Sequence, residues 1–212
     1  ESTLIKIDQN QFFTRNILQG SPNFFDFFDF KIIEGSSNKF KEARNHVAIS
    51  EEQAKIFFGN QSAIGKTVEL YNRVFVVTTV YRIIGKHYFM PNIIIQFTKH
   101  PEGHWGNFSN SLFVKTTKNI DLKEINKKAN DVWYRNATVP QAKKDGISPE
   151  EFQEKHGTEV VFEPLKDIRL KTIADGAGPE GKGNYQLILI MLSLSILLII
   201  ISCVNFINLS IA

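Results

Sequence analysis

Between Tyr185 and Ala212 the chain carries no charged side chain, and from Leu187 to Val204 it is almost wholly Leu, Ile, Met and Ser. At about 1.5 Å per residue such a run covers a hydrocarbon core of roughly 30 Å, and the lack of a polar face separates it from the helix of a soluble domain. A transmembrane helix is therefore expected over 185–212. Ser193, Ser195 and Ser202 are compatible with it, because a serine hydroxyl bonds back to a carbonyl one turn earlier. Asn205 and Asn208 share one helical face. Either they hydrogen-bond to a neighbouring membrane helix, or they sit at headgroup depth and meet water.

Ahead of that helix the apolar positions alternate between the strand and helix periods. Leu4 to Asp8 alternates like a half-buried strand, and Ser21-Pro22 opens a short helix with Ser as cap and Pro at the first helical position. Phe30 to Ile33 reads as a strand ending at Glu34-Gly35, followed by a polar turn. Val47-Ala48-Ile49 is a short strand, and Ser50 with Gln53 three residues later forms a capping box for a helix that runs through Phe58 and stops at Gly59. Thr67 to Val80 predicts a hairpin around Tyr71-Asn72-Arg73. Ser111 to Lys115 is another strand. Asp121 and Glu124 then cap a long helix bearing Ile125, Ala129, Val132 and Trp133 at helical spacing. Ser148-Pro149-Glu150-Glu151 starts a further helix, Thr158 to Phe162 is the last strand, and a Gly-rich linker over 173–184 leads to the membrane run.

Composition adds little. Lys+Arg 25 against Asp+Glu 22 leaves a formal charge of +3, too balanced to imply nucleic acid or a polybasic lipid patch. The lone cysteine, Cys203, lies in the membrane run, so no internal disulfide forms. The 18 phenylalanines are concentrated early, in Phe24, Phe25, Phe27, Phe28 and Phe30, as core residues. A start at Glu1 and an end at Ala212 inside the apolar run are expected of a fragment of a larger membrane protein. Arg169, Lys171 and Lys182 before the helix hint at a cytoplasmic flank, although large domains cross membranes largely regardless of charge.

Some local patterns imitate chemistry. Gly59 to Thr67, ending in Gly65-Lys66-Thr67, resembles a phosphate loop, but the glycine spacing is one too long, a helix precedes it and a strand follows, the reverse of the order that aims amides at phosphate. Gly176, Gly178 and Gly181 spell GxGxxG with no strand before them and Pro179 within. His87, His100 and His104 cluster in sequence, yet Pro101 and Gly103 spoil a shared helical face, so a solvated loop is expected there. No catalytic triad, carboxylate pair or nucleophilic cysteine stands at recognisable spacing, so neither an enzyme nor a cofactor is expected.

The order Phe24-Phe25-Asp26-Phe27-Phe28, Phe30-Lys31-Ile32-Ile33-Glu34-Gly35, Val47-Ala48-Ile49-Ser50-Glu51 with Ala54-Lys55, Phe57-Phe58-Gly59 and Ile64-Gly65-Lys66-Thr67-Val68 resembles the MacB-type periplasmic core domain of FtsX-like ABC transporter permeases, in a form similar to those of Bacteroidetes-type bacteria. Phe162 to Leu170 and Cys203 to Ser210 are similar to the segment entering the second membrane helix of such permeases. After Val80 the pattern departs. Tyr81-Arg82-Ile83-Ile84-Gly85-Lys86-His87 stands where the family has a small Gly-containing strand and an acidic residue before a proline.

The resemblance implies an α+β fold of two parts. A βαβ-like membrane-proximal part comes from 1–44 and 109–172, and an inserted β-rich part from 45–108. It further implies a periplasmic location for 1–184 at the bacterial inner membrane, overriding the charge hint. A cytoplasmic ABC ATPase subunit and a second permease protomer, identical or related, are the implied partners, with lipid around the helix and periplasmic or outer-membrane components beyond. On this reading the domain transmits ATP-driven change for export or envelope processes. Asn205 and Asn208 would make helix–helix contacts, and Lys166, Asp167, Ile168, Arg169 and Leu170 would couple the domain to the membrane helix. The competing reading is the extracytoplasmic sensor domain of a membrane receptor; a tethered hydrolase would need a nucleophile or metal set that the sequence does not offer.

Overall fold

The computed structural model describes residues 2–85, 90–97, 105, 110–117, 120–168, 170 and 183–211. Chain contacts divide it into two units, Glu1–Ile120 and Asp121–Ala212. The first unit is built on strands β1 (Thr3–Ile7), β2 (Asn10–Thr14), β3 (Ile17–Gly20), β4 (Lys31–Gly35), β5 (His46–Ser50), β6 (Thr67–Leu70), β7 (Arg73–Arg82) and β8 (Ile93–Gln96), with helices α1 (Phe24–Phe27), α2 (Ser37–Glu42) and α3 (Glu51–Phe58). The strands join in the order β2-β1-β6-β7-β5-β8-β3. β6 pairs with Arg73 to Val76 of β7, and β4 takes residues Thr79 to Arg82 beyond it. Pairing is antiparallel except for β5 with β7 and β3 with β8.

β2 and β3 lie at opposite ends of that order, yet only Arg15 and Asn16 separate them in sequence. At no more than 3.6 Å per residue the two edges lie within about 11 Å. The sheet therefore curls until its margins almost meet.

Two clusters of buried side chains line its faces. Ile5, Val47, Ile49, Phe57, Val68, Leu70, Val77, Ile93 and Ile95 pack on the α3 side, while Phe24, Phe30, Phe40, Ala48, Tyr81 and Ile94 pack on the other. Successive residues of β5 and β8 thus belong to different clusters, which is why both strands are continuous apolar runs rather than alternating ones. The early phenylalanines are core, with Phe30 stacked on Tyr81 at 5.4 Å.

Most predicted elements of this unit are present, with changed details. The hairpin turns at Tyr71 and Asn72, both at positive φ (52° and 57°), the geometry a tight two-residue loop requires. Ser50 caps α3 by accepting from the Gln53 amide at 3.1 Å. The Gln53 side chain does not complete the box. Its Oε1 accepts instead from Thr14 Oγ1 at 2.9 Å, and the Ser50 amide donates to Asn92 O. Asn23, not Ser21, occupies the cap position of α1. The predicted polar turn after Gly35 contains α2, capped by Ser36 at its start and closed by Gln96 Nε2, which donates to Phe40 O and Ala43 O. Ser111 to Lys115 forms no ladder with the described residues. Phe113 packs on Phe28, and Lys115 lies 4.7 Å from the Phe27 ring centroid. The expected boundary at 44/45 runs through this sheet, whose strands come from both sides of it, whereas the contacts divide the chain at 120/121.

The second unit contains α4 (Leu122–Trp133), α5 (Val139–Asp145), α6 (Pro149–His156) and α7 (Tyr185–Ile211). Asp121 and Ser148 cap α4 and α6 as predicted. α4 passes into α5 through a π-turn, Tyr134–Thr138, where the Val139 amide donates to Tyr134 O. Pro140 accounts for the change, because its ring excludes the carbonyl four residues back and it brings no donor. The predicted strand at Thr158 to Phe162 is absent, since α4 side chains satisfy its backbone. Asn130 Oδ1 accepts from Val160 N at 2.9 Å and Asn126 Oδ1 from Phe162 N at 2.8 Å.

Candidate functional site

α7 has 27 residues, about 40 Å at the helical rise, and is long and apolar enough to cross a membrane. Asn184 Oδ1 accepts from the Leu187 amide at 2.9 Å and so caps its start. Ser193, Ser195 and Ser202 each donate to a carbonyl three or four residues earlier at 2.8 Å, and Ser210 does so at 2.9 Å. Their hydroxyls are thereby satisfied within the helix. Asn205 and Asn208 lie in its last two turns, on neighbouring positions of one face, and are exposed.

The segment ahead of the Gly-rich stretch is a pair of turns. Asp167 N donates to Pro164 O and Leu170 N to Asp167 O. Lys166 is exposed, whereas Asp167, Ile168 and Leu170 are half-buried; Arg169 lies outside the described residues. The structure thus places Lys166, Asp167, Ile168 and Leu170 in two consecutive turns. Asn205 and Asn208 belong to a separate element.

The phosphate-loop lookalike is a helix stop. Gly59 (φ 62°) ends α3, Gly65 N donates to Val77 O and Lys66 N to Ala63 O, so the amides are engaged with the fold. Lys66 Nζ is held by Gln61 Oε1 at 2.5 Å and lies 4.9 Å from the Phe58 ring centroid. His87, His100, His104 and the GxGxxG glycines fall outside the described residues, among which no cluster of metal-ligating side chains occurs.

Where the sequence departs from the family pattern, β7 ends on two anchored residues. Tyr81 is fully buried, and its hydroxyl donates to Pro91 O at 2.7 Å; burial pushes its pKa up. Arg82 reaches across to Glu51 at the start of α3. The hydrogen bond from Arg82, and then that from Lys55, hold the Glu51 carboxyl at about 2, well below its ordinary 4.5. Sequence reasoning assigned neither residue a role; the signal lay in an acidic residue in the first turn of a predicted helix and a basic one at the end of a predicted hairpin.

The family model of the MacB-like periplasmic core domain matches residues 3–132. The chain belongs to this family, and it is a MacB-like periplasmic domain of an ABC-type transporter permease. Similar solved structures include a domain assigned to a permease protein from Porphyromonas gingivalis, with TM-score 0.54 and 16% identity, covering 65% of this chain and 67% of that one. The periplasmic region of MacB from Actinobacillus actinomycetemcomitans gives a TM-score of 0.43 at 14% identity over 76% and 73% of the two chains. The extracellular domain of the noncanonic ABC-type transporter YknZ from Gram-positive bacteria gives 0.38 at 15% identity over 77% of each. No match is found among curated proteins. The Porphyromonas structure shows the shared fold.

Proposed function

We propose that this domain transmits ATP-driven conformational change across the bacterial inner membrane, for export or another envelope process, and catalyses no reaction itself. The observation that carries the reading is a family match over residues 3–132 in a chain that continues into one apolar helix of 27 residues. ATP would be bound and hydrolysed by a cytoplasmic ABC subunit. Residues 1–184 would lie in the periplasm, with a second permease protomer, identical or related, beside them and outer-membrane or periplasmic components as downstream partners.

Within the chain, the turn at Lys166 to Leu170 would couple the domain to α7, and Asn205 and Asn208 would bond to neighbouring membrane helices. An amide in hydrocarbon gains about 1–2 kcal/mol from such a partner. Purification of the full-length protein from native membranes under mild crosslinking tests the reading. Co-purification of an ATP-binding subunit with ATPase activity supports it; a signalling module in the same polypeptide, with no ATPase, would favour a receptor. Asn205→Leu with Asn208→Leu should weaken assembly of the permease, and unchanged assembly removes their assigned role.

A further inference from the structure

We propose that the cleft between α4 and α6 is a binding site for an acidic, extended peptide segment of a partner protein. This inference does not depend on the function proposed above. The cleft has a volume of about 700 Å³ and is lined on one side by a single stripe of α4, Lys123, Asn126, Lys127 and Asn130, and on the other by Gln153 of α6 and by Glu159. Spacings of three and four residues put the α4 members on one face. That volume suits a few residues of peptide.

What the cleft offers is decided by which hydrogen-bonding atoms the fold has already used. Asn130 is spent: its Nδ2 donates to Asn126 O and Val160 O, both at 2.8 Å, and its Oδ1 accepts from Val160 N. Asn126 Oδ1 accepts from Phe162 N, and the Gln153 amide meets the Thr138 hydroxyl at 3.3 Å. Those backbone amides need acceptors, so the orientation of both asparagine amides is fixed by chemistry. The side-chain acceptors of both asparagines therefore point into the fold. Left for the cleft are donors: Asn126 Nδ2 and the ammonium groups of Lys123 and Lys127, which have no ion-pair partner among the described residues.

Neighbouring Lys128, one position round the helix, is by contrast paired with Glu124 at 2.6 Å. A donor-rich surface with two cations and one carboxylate, Glu159, complements a ligand rich in acceptors and negative charge. Carboxylates set between Lys123 and Lys127, with a main-chain carbonyl on the Asn126 amide, meet both requirements at once. A bare oxyanion could accept from the same donors but would fill only a small part of a cleft of about 700 Å³, whereas an extended peptide occupies its length.

The test is fluorescence anisotropy on the detergent-solubilised full-length permease, with a labelled short peptide alternating Glu and Gly and its counterpart carrying Gln in place of Glu. Saturable binding of the acidic peptide, weakened by added salt and reduced roughly tenfold in the double variant Lys123→Gln/Lys127→Gln but unchanged in Lys128→Gln, is the expected result. Equal binding of the neutral peptide, an equal loss in Lys128→Gln, or no saturable binding of the acidic peptide overturns the proposal. Binding of inorganic phosphate that the peptide cannot displace would show an anion site without peptide recognition, and overturns it too.

Discussion

Arg82 holds Glu51 through two nitrogens, Nε at 2.5 Å from one carboxylate oxygen and Nη2 at 2.9 Å from the other, tying the last residue of β7 to the first residue of α3. The geometry is bidentate, and the anion also sits at a helix N-terminus. Since the folded carboxyl titrates at about 2 against an ordinary 4.5, the unfolded chain takes up the proton first as pH falls. Stability from this pair is complete above about 4.5 and is lost as pH drops toward about 2. The midpoint of thermal unfolding should therefore be lower in Arg82→Gln than in the wild type at neutral pH, with the gap closing in acid. A gap of constant size across that range would contradict the pairing.

Gly35 ends β4 against the β7 backbone with φ +76°, and a Cβ there would stand 2.1 Å from Thr78 O and 2.8 Å from Ile64 Cδ1. Thr78 O also accepts the Ser36 amide, so the strand cannot simply step aside. Gly35→Ala should cost about 2–5 kcal/mol in urea unfolding. Gly146→Ala, at a left-handed position with open space around it, should cost only about 1 kcal/mol. Equal losses would mean that backbone conformation, and not the Thr78 contact, governs Gly35.

Gln96 satisfies two carbonyls at the end of α2 from within a buried strand. Gln96→Leu keeps the volume and removes the side-chain donor from both, although Ala43 O keeps the His46 amide, so a loss of about 1–3 kcal/mol is expected. Ser36→Ala, which removes only the exposed cap at the other end of the helix, should cost about 1 kcal/mol. Measured unfolding energies in the reverse order would show that α2 is held by its start.

Residues 158–162 keep their place through α4 side chains, and hydrogen exchange can read each bond separately. Asn130→Leu should speed exchange of the Val160 amide by roughly tenfold while leaving that of Phe162 near its wild-type rate. Asn126→Leu should do the converse. If either change releases both amides together, the segment opens as one unit and the two bonds are not independent.

Elements whose signal is local could be read from the sequence. The Ser50 cap, the Tyr71-Asn72 turn, the Asp121 and Ser148 caps and α7 each depend on residues within a few positions of one another, and the structure has them all. Distant partners decided the rest. α2 holds one buried apolar residue, Phe40, too few for any periodicity, and its end is capped by Gln96 from another strand. β8 is a continuous Ile93-Ile94-Ile95 run after Pro91-Asn92, a signal of a strand buried on both faces that alternation alone does not detect. Thr158 to Phe162 has the composition of a strand, but Asn126 and Asn130 satisfy its amides without a ladder. The α4 stripe reads in sequence as an ordinary solvated face; only the inward use of its amide oxygens reveals what it presents.

The curled sheet also sets a timetable. Ile17 must find Ile93 and Ile5 must find Leu70 before either margin is secured, so the first strands to be synthesised are among the last to be locked. Pairings this distant form slowly, since a long loop closes before any contact rewards it. Until β6 and β8 arrive, β1 to β3 wait with apolar residues such as Ile5, Ile7 and Ile17 uncovered. In that interval the nascent chain is most exposed to pairing with the wrong neighbour.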